Sequence, residues 1–337
     1  MGQRCLVTGG LGFIGHHLVN LLLERGKEVC ILDLAQPQHR QDGVEYITAS
    51  ITDRPAVTQA MQGADHVFHL AANAGLWSPH KQDFTVINQT GTRNVMQAAM
   101  EAGVGRVVHC STESILKSVR KQSPFEKPKD ADTDESVQLT LDDMAGAYCR
   151  GKFLAEQEAF AAAQQGLPVV IVNPTVPLGP GDRRITPPTR MMLGFLNGTY
   201  PAYLNSTLNV VDARDVALGH ILAAEKGTPG ERYILGNVNL QLGELLAHLE
   251  RLTGLPMPKQ RIPYWLALTV STIQELIADT ITHQPPQAPL TGVRLARSPM
   301  RFTNTRAQTE LGLTFRPLRE SLADAIADYR QRGLLQR

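Results

Sequence analysis

Short apolar runs recur along the first half of the chain, each followed by a glycine-marked turn and then by a stretch with helical spacing. Residues 4–8 (RCLVT) read as a strand and residues 9–15 as a glycine-rich turn. Residues 16–25 read as a helix ended by Gly26, and residues 27–33 (KEVCILD) as a second strand. A strand–helix–strand unit of this length closes by a right-handed crossover, so its strands are expected to lie parallel. Further strands are expected at 65–70 (DHVFHL), 106–110 (RVVHC) and 169–172 (VVIV). Helices are expected at 92–102 and 148–165, the second stopped by Gly166 with Pro168 beyond it. This alternation predicts an α/β protein built on a doubly wound parallel sheet.

After Asn173 the pattern changes. Prolines and glycines cluster through 174–188, which reads as loop, and again at 256–263 and 285–289. Between the last two, residues 264–281 have amphipathic helical spacing. Their charges are few and acidic, so the helix is expected to pack on its own lobe rather than lie on a membrane. The expected organisation is a larger domain over 1–172, with a return segment near 207–236. A smaller lobe would then take 173–206 and 237–337. No internal repeat or low-complexity tract is present.

The composition fits a globular chain with a sizeable core: 337 residues, 42% hydrophobic and 19% charged. A formal net charge of +1 gives no long-range field for nucleic acid, and aromatics at 5% offer no base-stacking platform. Cys5, Cys30, Cys110 and Cys149 show no CxxC spacing. They are expected to be buried reduced thiols, with no metal site among them. Strand-like sequence from residue 4 leaves no room for a signal peptide, and no apolar run reaches membrane-spanning length. The expected compartment is the cytoplasm.

Three features carry chemistry. The first is Thr8-Gly9-Gly10-Leu11-Gly12-Phe13-Ile14-Gly15, which follows a predicted strand and opens a predicted helix. Glycines there let the backbone approach a pyrophosphate, and the helix N-terminus presents free N–H groups to it. A purely structural turn is the alternative. Asp33 closes the second strand, where a carboxylate can accept both ribose hydroxyls and repel a 2′-phosphate. That favours NAD over NADP, while Arg40 nearby can soften the preference.

The second feature is Tyr148-Cys149-Arg150-Gly151-Lys152, whose i, i+4 spacing places a phenol and an ammonium on one helix face. A free phenol has a pKa of about 10. A neighbouring Lys⁺ and a cationic nicotinamide are expected to draw it toward the working range, and Lys152 can hold the nicotinamide ribose. Cys149 is given no role. The third feature is Ser111-Thr112, at the carboxyl end of the 106–110 strand, where open parallel sheets bind ligands. Loop capping is the alternative there, more for Ser111 than for Thr112. Asn88, in NQTGTRN (88–94), either orders the edge of the site or caps a helix. Pro174 can shape the loop against the nicotinamide.

Taken together, TGGLGFIG, HLAA (69–72), NQTGTRN, STES (111–114), YCRGK and NPTVPLGPGD (173–182) resemble the extended short-chain dehydrogenase/reductase family over nearly the whole chain. Within that family, STESILKS, LNVVDARDVALGH and ERYILG are most similar to the hopanoid-associated sugar epimerase branch, near the dihydroflavonol-reductase-like proteins. The resemblance implies a Rossmann-type dinucleotide domain over 1–172 with a C-terminal substrate lobe. It also implies a catalytic triad of Thr112, Tyr148 and Lys152, and a cofactor clamp of Gly9, Gly12, Gly15 and Asp33. Phe13, Ile14, Ile51, Leu70, Ala71, Ala72, Asn88, Tyr148, Lys152 and Pro174 are the further cofactor contacts it implies, with a homodimer made by the helices near 92–102 and 148–165.

Four departures stand out. Ser50 occupies the place of the acidic residue that often contacts adenine, and Asp53 is close to that place without matching it. Thr112 replaces a serine. Glu113-Ser114 supplies only part of the acid–base pair of sugar-nucleotide dehydratases, which disfavours dehydration. The usual aromatic–glycine pair is absent around Leu116-Lys117.

The expected function is hydride transfer between NAD(P) and a secondary alcohol or ketone, by an NAD-dependent sugar epimerase or dehydrogenase. The alternative is an NADPH-dependent ketone reductase of the dihydroflavonol-reductase type. The apolar content of 256–296 is a hint of a less polar substrate. The competing class is a non-catalytic dinucleotide sensor, against which the joint presence of Thr112, Tyr148 and Lys152 argues.

Overall fold

Seven parallel strands form the centre of the computed structural model, which describes residues 2–118 and 132–336. The strands β1 (Arg4–Thr8), β2 (Glu28–Asp33), β3 (Val44–Thr48), β4 (His66–His69), β5 (Arg106–Cys110) and β6 (Val169–Pro174) belong to this sheet. The chain then leaves it through β7 (Val176–Leu178), β8 (Ala202–Leu204) and β9 (Thr207–Asp212), and rejoins it with β10 (Arg232–Leu235). The spatial order is β3-β2-β1-β4-β5-β6-β10, and every pairing is parallel. The order reverses between β1 and β4, which opens a crevice at the carboxyl ends of those strands.

Both faces of the sheet are covered, which is why its strands are apolar at nearly every position. Helices α1 (Phe13–Glu24) and α6 (Ala213–Lys226) pack on one face, where Cys5, Val7, Val170 and Val172 meet Leu18, Leu22, Val216 and Ile221. Helices α2 (Arg54–Met61), α3 (Gly91–Ala102) and α4 (Ala147–Gln164) cover the other. There Leu6, Val107 and Ile171 meet Val57, Val95 and Ala159. Each such side chain, fully buried, contributes about 1.5–3 kcal/mol.

Several boundaries differ from the sequence expectation. Helix α1 begins at Phe13, because Gly12 is the last extended residue (φ −78°, ψ 177°). Strand β3 gave no apolar signal because it is a half-exposed edge. A π-helical run, Phe84–Thr90, leads directly into α3, so Asn88 lies inside a continuous helical segment and is not a cap. Residues 174–188 are not all loop. Strand β6 extends through Pro174, β7 follows, and α5 (Pro187–Leu196) begins at a proline in its first turn.

The rest of the chain adds β11 (Val238–Gln241), α7 (Leu242–Thr253), β12 (Gln260–Ile262), α8 (Tyr264–Ile277), α9 (Leu290–Leu295), α10 (Thr305–Thr309) and α11 (Leu318–Gln331). Its own core gathers Met192, Leu196, Leu245, Leu249, Leu322 and Tyr329. The expectation for residues 264–281 needs correction. Helix α8 turns small residues inward, Ala267 and Ser271, followed by Ala278 in the next turn, while its large apolar side chains face outward. The small inner residues let α8 lie close to its neighbours, and they leave no room for the large ones on that side. Among the described residues no helix is long and apolar enough to cross a membrane.

Candidate active site

The glycine turn is packed closely against its neighbours and open at one flank. Gly9 has φ +73°, and a Cβ there would lie 2.7 Å from the Ala71 nitrogen. A Cβ at Gly15 would overlap the Gly9 carbonyl at 2.2 Å, so the start of α1 is pressed onto the turn. At Gly12 a Cβ would touch only the Gly9 oxygen, at 3.1 Å, and its other side is open. No side chain caps α1, and the first-turn amides of a helix have no partner within it. These amides and the open flank of Gly12 fit a dinucleotide pyrophosphate.

Asp33 is buried at the end of β2, where Oδ2 accepts from the Leu11 amide (3.1 Å) and Oδ1 from the Ala35 amide (3.0 Å). Its third partner had no local sequence signal. The Arg184 guanidinium donates to Asp33 Oδ1 at 2.8 Å from the loop before α5. That loop is held by buried Asp182, which accepts from the Thr186 amide (2.7 Å) and hydroxyl (2.6 Å). Arg40, expected near the adenosine end, instead lies over the Tyr46 ring at 5.6 Å.

The exit of β4 forms the far wall. The Leu70 amide bonds to the Thr8 carbonyl (3.1 Å), and the Ala71 amide to the Thr8 hydroxyl (3.2 Å). Ala72 follows, half-buried. Asn88 accepts from the Asn73 amide (2.7 Å) and donates to the Asn73 carbonyl (3.2 Å), so it clasps this loop with both ends of its side chain. Of the two readings of Asn88, ordering the edge of the site is the one its contacts match. The side chains of two other expected contacts also serve the packing. Ile51 is buried against Gly91, where a Cβ would lie 2.4 Å from its Cδ1, and the Phe13 ring packs beside His16 and His17. Their side chains belong to the packing under the site, while Ile14 leans on the core beside α1.

Tyr148 and Lys152 project from the first two turns of α4, and Thr112 follows β5. The first turns of α4 pack against the short turn that Thr112 opens. Lys152 is buried, and its ammonium donates to the Cys110 carbonyl at 2.7 Å. Desolvation lowers its pKa, partly offset by Cys110 and Glu156. The expected lowering of the tyrosine pKa is not what the surroundings give. Desolvation raises it, Glu113 adds to the rise, and the Thr112 hydrogen bond opposes them. The phenol is therefore held in its neutral, proton-donating form.

The capping expectation is reversed. Thr112 caps a short turn, accepting from the Ser114 amide at 3.2 Å, while the buried Ser111 hydroxyl has no partner among the described residues. Two residues in this region were given no role from the sequence. Glu113 Oε2 accepts from the Thr112 hydroxyl at 2.9 Å, and burial pushes the Glu113 carboxyl up to about 7. Asn173, at the end of β6, donates to the Thr112 carbonyl (3.1 Å) and to buried Glu156 (2.9 Å). It thereby ties Thr112 to α4. Its neighbour Pro174 is buried in register with Leu235.

The free cysteines Cys5, Cys30 and Cys149 are buried and Cys110 is half-buried. Burial raises all four thiols, to about 11 or 12, which leaves them unreactive near neutrality.

Residues 5–236 match the model of the NAD dependent epimerase/dehydratase family. The chain belongs to this family. It is an enzyme of the extended short-chain dehydrogenase/reductase type, in a family that is NAD dependent. It is 38% identical over its whole length to a putative dihydroflavonol 4-reductase of Synechocystis, of which it covers 97%. It is 32% identical to sterol demethylase protein B of Methylococcus capsulatus, over 98% of this chain and 99% of that one. Among solved structures, gox2253 matches with a TM-score of 0.84 at 32% identity, over 99% of this chain and all of the other.

Proposed function

We propose that the cleft at the carboxyl edge of β1, β4, β5 and β6 is the active site, with Thr112, Tyr148 and Lys152 performing the acid–base part of an NAD-linked ketone–alcohol interconversion. The observation that carries this reading is the bond from buried Lys152 to the Cys110 carbonyl, which brings the first turns of α4, with Tyr148, to the end of β5 where Thr112 follows, near the open glycine turn. Bound NAD(H) supplies the hydride. The neutral Tyr148 phenol gives its proton to the substrate oxygen in reduction and recovers it in oxidation. Thr112 donates to the same oxygen, and Lys152 points its remaining protons toward the nicotinamide ribose.

The full-length relatives at 30–38% identity include reductases, which supports net reduction or oxidation with product release. The family also contains epimerases, in which the ketone stays bound and the hydride returns to the other face. Net NADH formation or consumption, equimolar with product, separates the two. In this reading residues 1–172 with 207–236 hold the cofactor, the remainder holds the substrate, and the protein works in the cytoplasm as a homodimer across α3 and α4.

The test is Tyr148→Phe. Turnover should fall roughly a hundredfold to ten-thousandfold, with protection of the fold by NADH retained. Turnover at the wild-type rate would overturn the assignment.

A further inference from the structure

Seven of the nine large hydrophobic side chains exposed among the described residues lie on α8 and the π-helical turn Ala278–Thr282 that follows it. Trp265 is 67% exposed, Leu276 63% and Ile281 72%, with Leu266, Val270 and Ile273 between them. At 100° per residue they fall on one side of the helix over four turns. A patch of this kind marks a surface that something covers.

Three properties say what covers it. First, the face carries no charge. The two acids of the helix lie on its flank, where Lys81 reaches Glu275 (3.2 Å) and Asp279 (3.1 Å), and Asp279 also accepts from the Trp77 indole (2.7 Å). Second, its exposed hydroxyls are satisfied within the helix. Thr269 donates to the Trp265 carbonyl (2.9 Å), Thr272 to that of Leu268 (2.7 Å) and Thr280 to that of Leu276 (2.7 Å). Such back-bonding removes the donors that a protein partner would use and that hydrocarbon would penalise.

Third, cationic and amphipathic aromatic groups gather at the N-terminal end. Arg261 lies in the strand just before α8, and the Arg297 guanidinium sits 5.6 Å from the Tyr264 ring, next to Trp265. Of the other basic residues between 251 and 301, Lys259 pairs with Glu250 and Arg301 with Asp132, so Arg261 and Arg297 carry the positive charge at this end. The small inner residues described above hold this face outward, and Ser271 fixes it by donating to the Ala288 carbonyl (2.7 Å).

We propose that α8 and the turn after it lie in the interface of an anionic lipid bilayer, with the apolar side chains in the acyl boundary and the basic end among the headgroups. This is the pattern of an interfacial helix, whose binding combines apolar burial with attraction to anionic lipid. A second copy of the chain is the less suitable occupant. A single convex helix falls short of the roughly 800 Å² per partner of a standard interface, and this one offers no directional polar groups. Docking there has a consequence for the site. Helix α8 packs on α9, where Arg294 donates to the Ala145 carbonyl (3.4 Å) and Thr291 abuts Gly146. The residues just before Tyr148 thus stand one helix away from the lipid.

The experiment is flotation of the full-length protein with vesicles of phosphatidylcholine alone or mixed with phosphatidylglycerol. The wild type is expected to float with the mixed vesicles, less so as salt is raised. Ile273→Glu with Leu276→Glu should lose at least roughly tenfold in binding, since two buried apolar side chains are removed. The same variant should show wild-type protection by NADH against thermal unfolding, which establishes that it is folded. No flotation of the wild type with either vesicle overturns the proposal. So does equal flotation with both, which would remove the anionic preference. A dimer that the double variant dissolves while vesicles bind neither protein would assign the face to a second copy.

Discussion

The Thr112 hydroxyl donates to Glu113 Oε2 at 2.9 Å, and in the proposed reaction the same hydroxyl must serve the substrate oxygen. A threonine has one hydrogen to give. An ionised Glu113 draws it away from the substrate oxygen, and a protonated Glu113 releases it. Because burial sets this carboxyl at about 7, the exchange falls within the working range.

Ketone reduction by the wild type is therefore expected to decline as pH rises through about 7, and Glu113→Gln should flatten that limb of the kcat/KM profile. The stability consequence has a definite sign. The folded pKa lies above the unfolded value of 4.5, so the contribution is fully present below 4.5 and is lost as pH rises through about 7. Glu113→Gln should match the wild type in acid and exceed it above neutrality by up to about 3 kcal/mol. Denaturant melts at acid and alkaline pH check this, and parallel curves for the two proteins would refute it.

Gly12→Ala should separate folding from cofactor binding. Its methyl would meet only the Gly9 carbonyl, so the chain should fold with a loss of about 1 kcal/mol or less. The methyl would stand where the pyrophosphate must approach, and NADH affinity should drop more than roughly tenfold. Isothermal titration measures it. Unchanged affinity would move the cofactor away from this turn.

Cofactor choice should depend on Arg184 and not on Arg40. Arg184 is the cation paired with Asp33, whereas Arg40 rests on Tyr46. Arg184→Ala should raise the preference for NADH over NADPH severalfold, through loss of the cation nearest a 2′-phosphate. Arg40→Ala should leave the ratio alone. Competition binding with the two cofactors decides between them.

Asn173→Ala removes the bonds to the Thr112 carbonyl and to buried Glu156. An expected loss of about 1–3 kcal/mol follows from the under-satisfied carboxylate. Thermal melts should show it, and kcat should fall more than KM rises, because the displaced group is Thr112. A change in stability with unaltered kcat would make Asn173 purely structural.

Much of this was legible in the sequence wherever the cause was local. The RCLVT and VVIV runs are apolar because both faces of the sheet are covered, and the TGGLGFIG glycines stand out by their own spacing, although Gly9 is pressed by Ala71 and Gly10 by Ile31. Tyr148 and Lys152 were readable because helical spacing alone places them together. What escaped depended on distant partners. Arg184 meets Asp33 across 151 residues, and nothing beside it in the chain marks it. The rise in the Tyr148 pKa comes from burial and from Glu113, neither visible in an i, i+4 pattern. Helix α8 was read correctly as amphipathic. Its outward orientation came from the inner contacts of Ala267 and Ser271, which periodicity does not reveal.

The Asp182 loop gives the Asp33–Arg184 pair a longer reach. Arg332, just beyond α11, donates to the Asp182 carbonyl at 2.9 Å, so the loop whose Arg184 sits on Asp33 is also tied to the last helix of the chain. In the proposed reading a ribose arriving at Asp33 would have to displace this internal occupant. Freeing Arg184 loosens the segment leading into α5. On the same reading, a substrate held against that segment would bear on the cofactor by the same free energy with which the cofactor bears on it, and the two would enter as coupled guests.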